Sequence, residues 1–217
     1  MDNTPVIFFS EPFFFPPLNF FYGLLNSELW VVIDHRKFHP RSNQNRCRLR
    51  SVGGIQLLQV AVKRPCNKQV SSTVINNYLP SWKKCFLKSL REVYSGMPYF
   101  SKYYPEVKYY IEAPNMLIET LNVQTTLWVA GLLGKHPQVL YSSNYYHRRT
   151  NKKRVIEYVC DKLGGVPFEK EFRHPVYQQT SSRFIEGLSV LDALFSIGAM
   201  ELRDLVSEQQ QSLISKT

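Results

Sequence analysis

The chain has 217 residues, of which 44% are hydrophobic, so it can fill the core of one globular domain. Its net charge of +10 favours an anionic partner such as nucleic acid, a nucleotide-linked substrate, an acidic carrier protein or a membrane surface, although it could also serve solubility alone. No apolar stretch approaches the roughly 18 uninterrupted residues of a spanning helix, and the acidic N-terminus does not resemble a secretory signal. We therefore expect a cytoplasmic protein without a membrane span.

The N-terminal part of the chain predicts a βαβ unit. Its elements are a strand at residues 5–9, a helix from Leu18 to Asn26 and a strand from Leu29 to Ile33. This order gives parallel strands and a right-handed crossover. The polar pairs Ser10-Glu11 and Asp34-His35 follow the two strands. They should meet at the carboxyl edge of the sheet, where open α/β sheets bind ligands.

A basic loop follows the second strand. From His35 to Leu49 it has no carboxylate and carries five cations, Arg36, Lys37, Arg41, Arg46 and Arg48. Neutral hydrogen-bonding groups, among them Asn45, lie between them. Such a surface suits a phosphate, and Arg41 is one candidate phosphate ligand.

The middle of the chain predicts a β-hairpin followed by helices. Gly53-Gly54 separates the two strands of the hairpin within residues 45–62. Helices are predicted from Ser81 to about Ser95, within residues 99–112, and from Asn115 to Gly134. We assign the last of these, which is amphipathic, a packing role only.

A third polar pair, Ser142-Ser143, ends the short strand predicted from Gln138 to Tyr141. A helix follows from about Asn151 to Leu163, and its first turn carries Lys152 and Lys153. Cations at a helix N-terminus oppose the macrodipole by roughly 0.3–1 kcal/mol each, so a bound anion would relieve them. Lys152 and Lys153 are therefore candidate phosphate ligands; a solvated basic cluster is the alternative.

The C-terminal part predicts an edge strand at residues 166–172, an apolar helix within residues 187–197 and an amphipathic helix from Glu201 to about Leu213. His174 precedes a proline and is therefore conformationally constrained. The sequence S-V-L-D has the spacing of a capping box, which predicts that Ser189 and Asp192 close the start of the apolar helix.

Together these elements predict an α/β fold with a Rossmann-like, mainly parallel sheet flanked by helices, an inserted β-hairpin and a helical segment. We expect one domain over residues 1–217, with a mostly helical insert around 78–135. The sequence has no Walker loop, G-x-G-x-x-G, G-x-S-x-G or H-E-x-x-H motif. The spacing of its cysteines and histidines does not predict a metal site.

Several blocks of the chain resemble the WbqC-like proteins of bacterial surface-polysaccharide gene clusters. They are EPFFFPPLNFFYGL, VVIDHRKFHPRSNQNRCRL, QVLYSSNYY, KKRVIEYVCDKLGG and HPVYQQTSSRFIEGLSVLDALFSIG, in the expected order. The sequence departs from the family pattern at Glu11, Asn19, His35 and Lys37. The family's glycine-rich stretch is also missing, because Gly165 runs directly into Val166.

The resemblance implies transfer of a glycyl or other aminoacyl group from an activated donor to the amine of an amino-sugar nucleotide, as a step of O-antigen biosynthesis. Such a reaction needs a base and donors for the developing oxyanion. The candidate catalytic residues are Glu11, Asp34, His35 and His174. The candidate substrate ligands are Ser10, Asn45, Arg46, Arg48, Ser142, Ser143 and Tyr177. We expect Asp34, Asn45, Arg46 and Arg48 to line one pocket with Glu11 and Ser142.

No cofactor is firmly implied. The basic loop could bind the diphosphate of a nucleotide sugar or an acidic carrier protein that bears the aminoacyl group on phosphopantetheine. Two other functions fit the residues. One is an ATP-dependent or nucleotidyl-type α/β enzyme, suggested by the early βαβ unit and the basic loop. The other is a nucleic-acid-binding module, suggested by the positive charge and the aromatic residues between the cations.

Overall fold

The structure of the protein is a computed structural model that describes residues 4–51, 53–63, 73–75, 81–114, 117–145, 152–169, 172, 175–179 and 184–214. The helices are α1 (Leu18–Leu25), α2 (Ser81–Tyr94), α3 (Phe100–Glu112), α4 (Ile118–Leu132), α5 (Lys152–Leu163) and α6 (Val190–Ile214). The strands are β1 (Val6–Ser10), β2 (Leu29–Val32), β3 (Arg46–Ser51), β4 (Gly54–Gln59), β5 (Gln138–Tyr141) and β6 (Val166–Pro167).

Four strands form a parallel sheet in the order β5-β2-β1-β6. Ser10 at the end of β1 pairs with Val32 of β2, and Val32 pairs with Tyr141 of β5. The carboxyl ends of these three strands therefore meet at one edge. The remaining strands, β3 and β4, form an antiparallel hairpin. The α/β class, the parallel sheet and the inserted hairpin predicted from the sequence are confirmed.

Successive residues of the central strands pack into two cores on opposite faces of the sheet. Trp30 and Val32 belong to a large core that includes residues of α1, α4 and α6. Val31 and Ile33 belong to a smaller core with Val155 and other residues of α5. Both faces are covered, which explains why β2 is apolar throughout instead of alternating.

The strand predicted for residues 166–172 is shorter in the structure. Among the described residues of this segment, Val166 and Pro167 alone pair with β1, and the backbone N–H of Phe168 donates to the Ile7 carbonyl. Pro167 has no N–H to give to a ladder, a defect that an edge strand tolerates. Residues 170 and 171 of the predicted strand lie outside the described residues.

The segment predicted as a helical insert contains α2, α3 and α4, which together extend over residues 81–132. Each of them buries apolar residues, and Phe86, Val107 and Leu121 all enter the large core. The single domain over residues 1–217 remains a prediction. No helix within the described ranges is both long enough and apolar enough to cross a membrane.

Helix α6 is interrupted at Gly198, which has φ 77° and ψ 172°. A Cβ at this position would lie 2.8 Å from the ring of Tyr99, so both the backbone and the packing require glycine. The two C-terminal helices predicted from the sequence are thus the two parts of α6.

The capping box predicted at the start of α6 is wrong in one half. The Ser189 hydroxyl accepts the backbone N–H of Leu191 at 3.3 Å, so Ser189 does cap the helix. The Ser189 N–H instead donates to the Arg48 carbonyl at 2.8 Å, and the Asp192 carboxylate turns inward to Arg50. A buried guanidinium is a stronger partner for this carboxylate than a backbone amide.

Candidate functional site

Asp34, which follows β2, is held by the two serines that follow β5. Its Oδ1 accepts the hydroxyl of Ser142 and the backbone N–H of Ser143, both at 2.9 Å. Its Oδ2 accepts the Ser143 hydroxyl at 2.5 Å. The residue is only 5% exposed, so these three donors replace the water that a carboxylate needs. The Asp34 carboxylate is therefore a fixed and well-bonded anion.

His35 extends this arrangement through the same serine. Its Nδ1 lies 2.7 Å from the Ser142 hydroxyl oxygen. The hydroxyl proton must point to Asp34, because otherwise two oxygens with lone pairs would face each other at 2.9 Å. His35 then donates its Nδ1–H to Ser142, which leaves the lone pair on Nε2. Nε2 is buried and has no hydrogen-bond partner among the described residues.

Burial lowers the pKa of His35 below its ordinary value of 6.5, and Arg36 adds to this effect. The negative charges of Asp34 and Glu11 oppose it without reversing it. At neutral pH the imidazole is therefore uncharged. A neutral imidazole with a fixed tautomer and a free Nε2 lone pair is equipped to accept a proton.

Glu11, the first residue after Ser10, belongs to the same edge but is already paired. Its Oε2 accepts the Gln44 side-chain amide at 2.7 Å, and its Oε1 lies 3.4 Å from Nε of Arg36. The side-chain Oε1 of Gln44 in turn accepts the backbone N–H of His39. These contacts fix the start of the basic loop, so Glu11 is a weaker candidate base than His35.

Helix α4 brings two polar residues to this edge that the sequence analysis treated as packing. The Asn122 side-chain amide donates to the carbonyls of Pro12 and Gln44 at 2.9 and 2.8 Å. Glu119 lies one turn earlier and interacts electrostatically with Asp34 and with Tyr141 of β5. A signal was present in the sequence, because Glu119 and Asn122 are three residues apart and share one helical face.

The Glu119 carboxyl is 9% exposed, and its Oε2 has no partner within the part of the chain that the structure describes. Two effects raise the pKa of Glu119 to about 7. Burial is the larger one, and the negative charge of Asp34 is the smaller one. The N-terminus of α4 favours the charged form of Glu119 by only about 0.3–1 kcal/mol, so the effect of burial on the pKa is larger. Near neutral pH this carboxyl can therefore both give and take a proton.

A cavity of about 460 Å³ lies beside the hairpin. Arg46 and Arg48 line it together with an aromatic and proline-rich turn and a C-terminal segment, namely Phe14, Phe15, Pro16, Pro17, Asn19, Asn43, Cys47, Phe172, Glu186, Gly187 and Ser189. Asp34, Asn45, Glu11 and Ser142 are not in this lining. The prediction of one shared pocket is therefore wrong: these residues divide between a sheet-edge site and an arginine-lined cavity.

Two predicted substrate-binding residues, Asn45 and Ser10, make side-chain hydrogen bonds to other groups of the protein. Asn45 is fully buried; its side-chain oxygen accepts the backbone N–H of Arg41, and its amide donates to the Val60 carbonyl. The Ser10 hydroxyl oxygen accepts the indole N–H of Trp30 at 2.8 Å. Asn45 thus shapes the basic loop instead of binding a ligand, and Ser10 helps to orient Trp30 in the core.

Tyr177 also has a structural partner. Its hydroxyl donates to Oδ2 of Asp192 at 2.6 Å, and the residue is 6% exposed. Oδ1 of Asp192 accepts the hydroxyl of Tyr94 and the guanidinium of Arg50. The role predicted for Tyr177 as a substrate ligand is therefore corrected to one in a buried ionic network.

The remaining predicted site residues are less defined by contacts. His174 lies outside the described residues. Lys152 and Lys153 are exposed in the first turn of α5, and Lys153 approaches Glu157 at 3.9 Å. Arg41 is exposed, with a positive φ of 66° stabilised by the bond from its N–H to Asn45. Phosphate binding by Arg41, Lys152 and Lys153 remains a prediction.

The model of the WbqC-like protein family matches residues 11–168, which is well over half of the chain. The chain belongs to the WbqC-like protein family. The match includes the sheet-edge residues of this WbqC-like protein, from Glu11 to Ser143, and ends before Tyr177 and Asp192. No curated protein and no solved structure matches the chain.

Glu11 and His35 are both held at the sheet edge of this WbqC-like protein by side-chain contacts. Glu11 pairs with Arg36. His35 bonds to Ser142. The two residues are close enough for the Glu11 charge to act on His35. The sheet edge therefore carries an imidazole and a carboxylate that interact.

Proposed function

We propose that this protein is a transferase of bacterial surface-polysaccharide biosynthesis, which moves a glycyl or other aminoacyl group onto the amine of an amino-sugar nucleotide in the cytoplasm. Membership of the WbqC-like family supports an enzyme of this setting. The observation that carries the proposal is the neutral His35, whose tautomer is set through Ser142 and Asp34 and whose Nε2 is unpartnered among the described residues.

The proposed reaction removes two protons from the amino-sugar nitrogen. The amino sugar arrives as an ammonium ion, which cannot attack an acyl group until it loses the first proton. His35 Nε2 takes that proton and passes it to solvent, and the free amine attacks the thioester carbonyl of an aminoacyl carrier protein. As the C–N bond forms and the C–S bond breaks, His35 takes the second proton from the nitrogen and gives it to the leaving thiolate. The products are an amide, a free phosphopantetheine thiol and one proton released to solvent.

The arginine-lined cavity is the proposed site for the phosphates of the nucleotide sugar or of the carrier's prosthetic group. Arg46 already bonds the Gln59 side chain through Nε at 2.8 Å, so its guanidinium is held toward β4. Arg48 is exposed at the mouth of the cavity. Arginine suits this role because its planar donors match phosphate oxygens in pairs. The net charge of +10 would favour an acidic carrier protein.

The test is a transfer assay with a glycyl-loaded carrier protein and a set of amino-sugar nucleotides, with the amide product detected by mass spectrometry. His35→Gln is expected to lower kcat about 10²- to 10⁴-fold, the usual contribution of a general base. His39→Gln is the matched control, because His39 lies in the same loop with an exposed side chain. Full activity of the His35→Gln variant would disprove the proposed role of His35.

The ATP-dependent alternative draws support from one observation, the ligand-binding edge of a parallel sheet beside a basic cavity. It differs from the transferase in its requirement for a nucleoside triphosphate. Calorimetry with magnesium-ATP separates the two, because the transferase gains its energy from the thioester. Micromolar binding of magnesium-ATP, with transfer that depends on ATP hydrolysis, would favour the alternative.

A further inference from the structure

Three buried acceptor atoms at the carboxyl edge of the sheet have no hydrogen-bond partner among the described residues. They are Oε2 of Glu119, Oδ1 of Asn122 and Nε2 of His35. Buried polar atoms without partners are uncommon in native proteins, and each needs an explanation. Four further buried atoms without a partner in the described structure belong to Tyr22, Trp82, Tyr104 and Thr126.

Hydrogen bonds of neighbouring groups and shared electrostatic interactions place the three residues that carry these atoms at one edge of the sheet. Glu119 and His35 both interact electrostatically with Asp34. Asn122 lies one turn beyond Glu119 on α4, and its amide holds the carbonyls of Pro12 and Gln44. Pro12 adjoins Glu11, and Gln44 bonds to Glu11, whose charge reaches His35. Helix α4, the end of β2 and the segment after β1 therefore surround the same site.

The two carboxyl groups of the site have opposite environments. Asp34 accepts three hydrogen bonds from Ser142 and Ser143, which favour its charged form. Glu119 has no such donors in the described structure, and its titratable neighbours Asp34 and Tyr141 supply no positive charge. Two neighbouring carboxyl groups, one in an environment that favours its charged form and one in an environment that favours its neutral form, are typical of acid–base sites. Glu119 is the member that holds a proton when the site is empty.

We propose that Glu119 is the ammonium-binding residue of this site, with the Asn122 carbonyl oxygen and His35 Nε2 accepting the other N–H groups of a primary ammonium ion. This inference rests on the proposed function and names the substrate group that the site recognises. A primary ammonium ion supplies three donors, which matches the three unpartnered acceptors, whereas a hydroxyl group supplies one. The hydrogen bond to His35 Nε2 then points along the path of the proton that must leave before the amine can attack.

The binding step is balanced by release of a proton. The neutral Glu119 carboxyl gives its proton to solvent, and the resulting carboxylate pairs with the ammonium ion, so one positive charge enters the site as one leaves. Burial raises the pKa of Glu119 to about 7, so at pH 6 close to one proton should be released for each ligand bound. A ligand without an ammonium group does not stabilise the Glu119 carboxylate, so its binding should release no proton from Glu119.

The experiment is isothermal titration calorimetry at pH 6 with UDP-glucosamine and, as its uncharged counterpart, UDP-N-acetylglucosamine. Each is titrated in two buffers of different ionisation enthalpy, which gives the number of protons released. We expect release of close to one proton with UDP-glucosamine alone. Glu119→Gln should abolish this release and weaken UDP-glucosamine binding about tenfold or more, because it removes a charge-assisted bond. Binding of UDP-N-acetylglucosamine should not change.

Glu112→Gln provides the matched control, since it makes the same change at an exposed carboxylate of α3. The proposal is overturned if Glu119→Gln releases the same number of protons, if both nucleotides bind with equal affinity and no proton release, or if neither binds. The transfer assay is read separately. Proton-linked binding without any aminoacyl transfer would reject the proposed function while leaving Glu119 as an ammonium-binding residue.

Discussion

The protein contains two buried aspartates. Both accept several hydrogen bonds, but we assign them different roles. Asp192 accepts Arg50, Tyr94 and Tyr177, and Asp34 accepts Ser142 and Ser143. Around Asp192 a guanidinium neutralises the carboxylate. Around Asp34 the donors are neutral, and acceptor atoms of His35 and Glu119 nearby have no partner in the described structure.

The difference shows how a structural network can be distinguished from a functional one. A carboxylate that is neutralised and enclosed stabilises the fold and has little left to offer a ligand. A carboxylate held by neutral donors, next to unpartnered acceptors, keeps a negative field that a cationic ligand can neutralise. We therefore assign stability to the Asp192 network and chemistry to the Asp34 site. Each of the following experiments challenges that division.

The largest expected effect is on stability, from Asp192→Asn. The change leaves Arg50, which is 4% exposed, without its carboxylate, and breaking one half of a buried ion pair costs about 3–5 kcal/mol. Urea denaturation monitored by circular dichroism measures the loss. If the free energy of unfolding fell by less than about 1 kcal/mol, the network would not be the structural anchor that we describe.

Asp34→Asn should affect activity more than stability. The amide retains the size of the side chain but places an NH₂ group or a weaker acceptor opposite Ser142 and Ser143, which disturbs the tautomer of His35. We expect kcat to fall about 10²-fold or more, with a stability loss of roughly 1–3 kcal/mol. Ser143→Ala is the milder control, because Ser143 does not contact His35 through the bonds described. Equal kcat values for Asp34→Asn and the wild type would contradict the assignment.

The pH dependence of stability should report Glu119. Its folded pKa of about 7 lies above the ordinary value of 4.5, so its neutral form stabilises the fold at low pH. This contribution is complete below pH 4.5 and is lost as the pH rises through 7, by roughly 3 kcal/mol in total. Glu119→Gln should remove this pH-dependent contribution. The stability of the variant should therefore increase relative to that of the wild type between pH 5 and 8. Parallel pH profiles of unfolding free energy for the two proteins would refute this.

The contribution of His35 to stability should change with pH in the opposite direction to that of Glu119. Its folded pKa lies below the ordinary value of 6.5, so its neutral form stabilises the fold above pH 6.5. That contribution is lost as the pH falls below 6.5 toward the folded pKa. The kcat of the transfer reaction should likewise remain level down to pH 6.5 and decline only below it. A decline that begins well above pH 7 would show that another group is the base.

The smallest expected effect is that of Tyr177→Phe. The change removes one of the hydrogen bonds to Asp192, and its cost should be about 1–3 kcal/mol of stability. Kinetics should be unchanged, because the Tyr177 hydroxyl is used within the protein. A rise in KM for the nucleotide sugar, at unchanged stability, would restore Tyr177 as a substrate ligand and weaken the contrast between the two aspartates.

The sheet-edge site was predictable from the sequence because it follows from topology. Apolar runs that end in Ser10-Glu11, Asp34-His35 and Ser142-Ser143 indicate parallel strands, and the ends of parallel strands meet. That reasoning needs only the order of the elements and the direction of each strand. The pairing of Asp34 with Ser142, which are 108 residues apart, is a direct result.

Features that depend on side-chain direction were not predictable in the same way. The local spacing of Ser189 and Asp192 indicates a capping box, but Arg50, 142 residues away, takes the carboxylate. Asn45 belongs to a basic, polar loop, yet its amide closes that loop internally. Glu119 belongs to a helix that the sequence predicts to have only a packing role, and its burial depends on the neighbouring sheet edge. In each case a long-range partner or burial outweighed the local pattern.

The strand order has a consequence for how the chain folds. The two strands made first, β1 and β2, occupy the centre of the sheet, and their outer neighbours come from residues 138–141 and 166–167. During synthesis both edges of the central pair therefore remain open until more than a hundred further residues have been added. Open, apolar strand edges invite association with other chains. Versions of the protein shortened before residue 166 should aggregate, and a chaperone that shields exposed strands should improve the yield of the full chain.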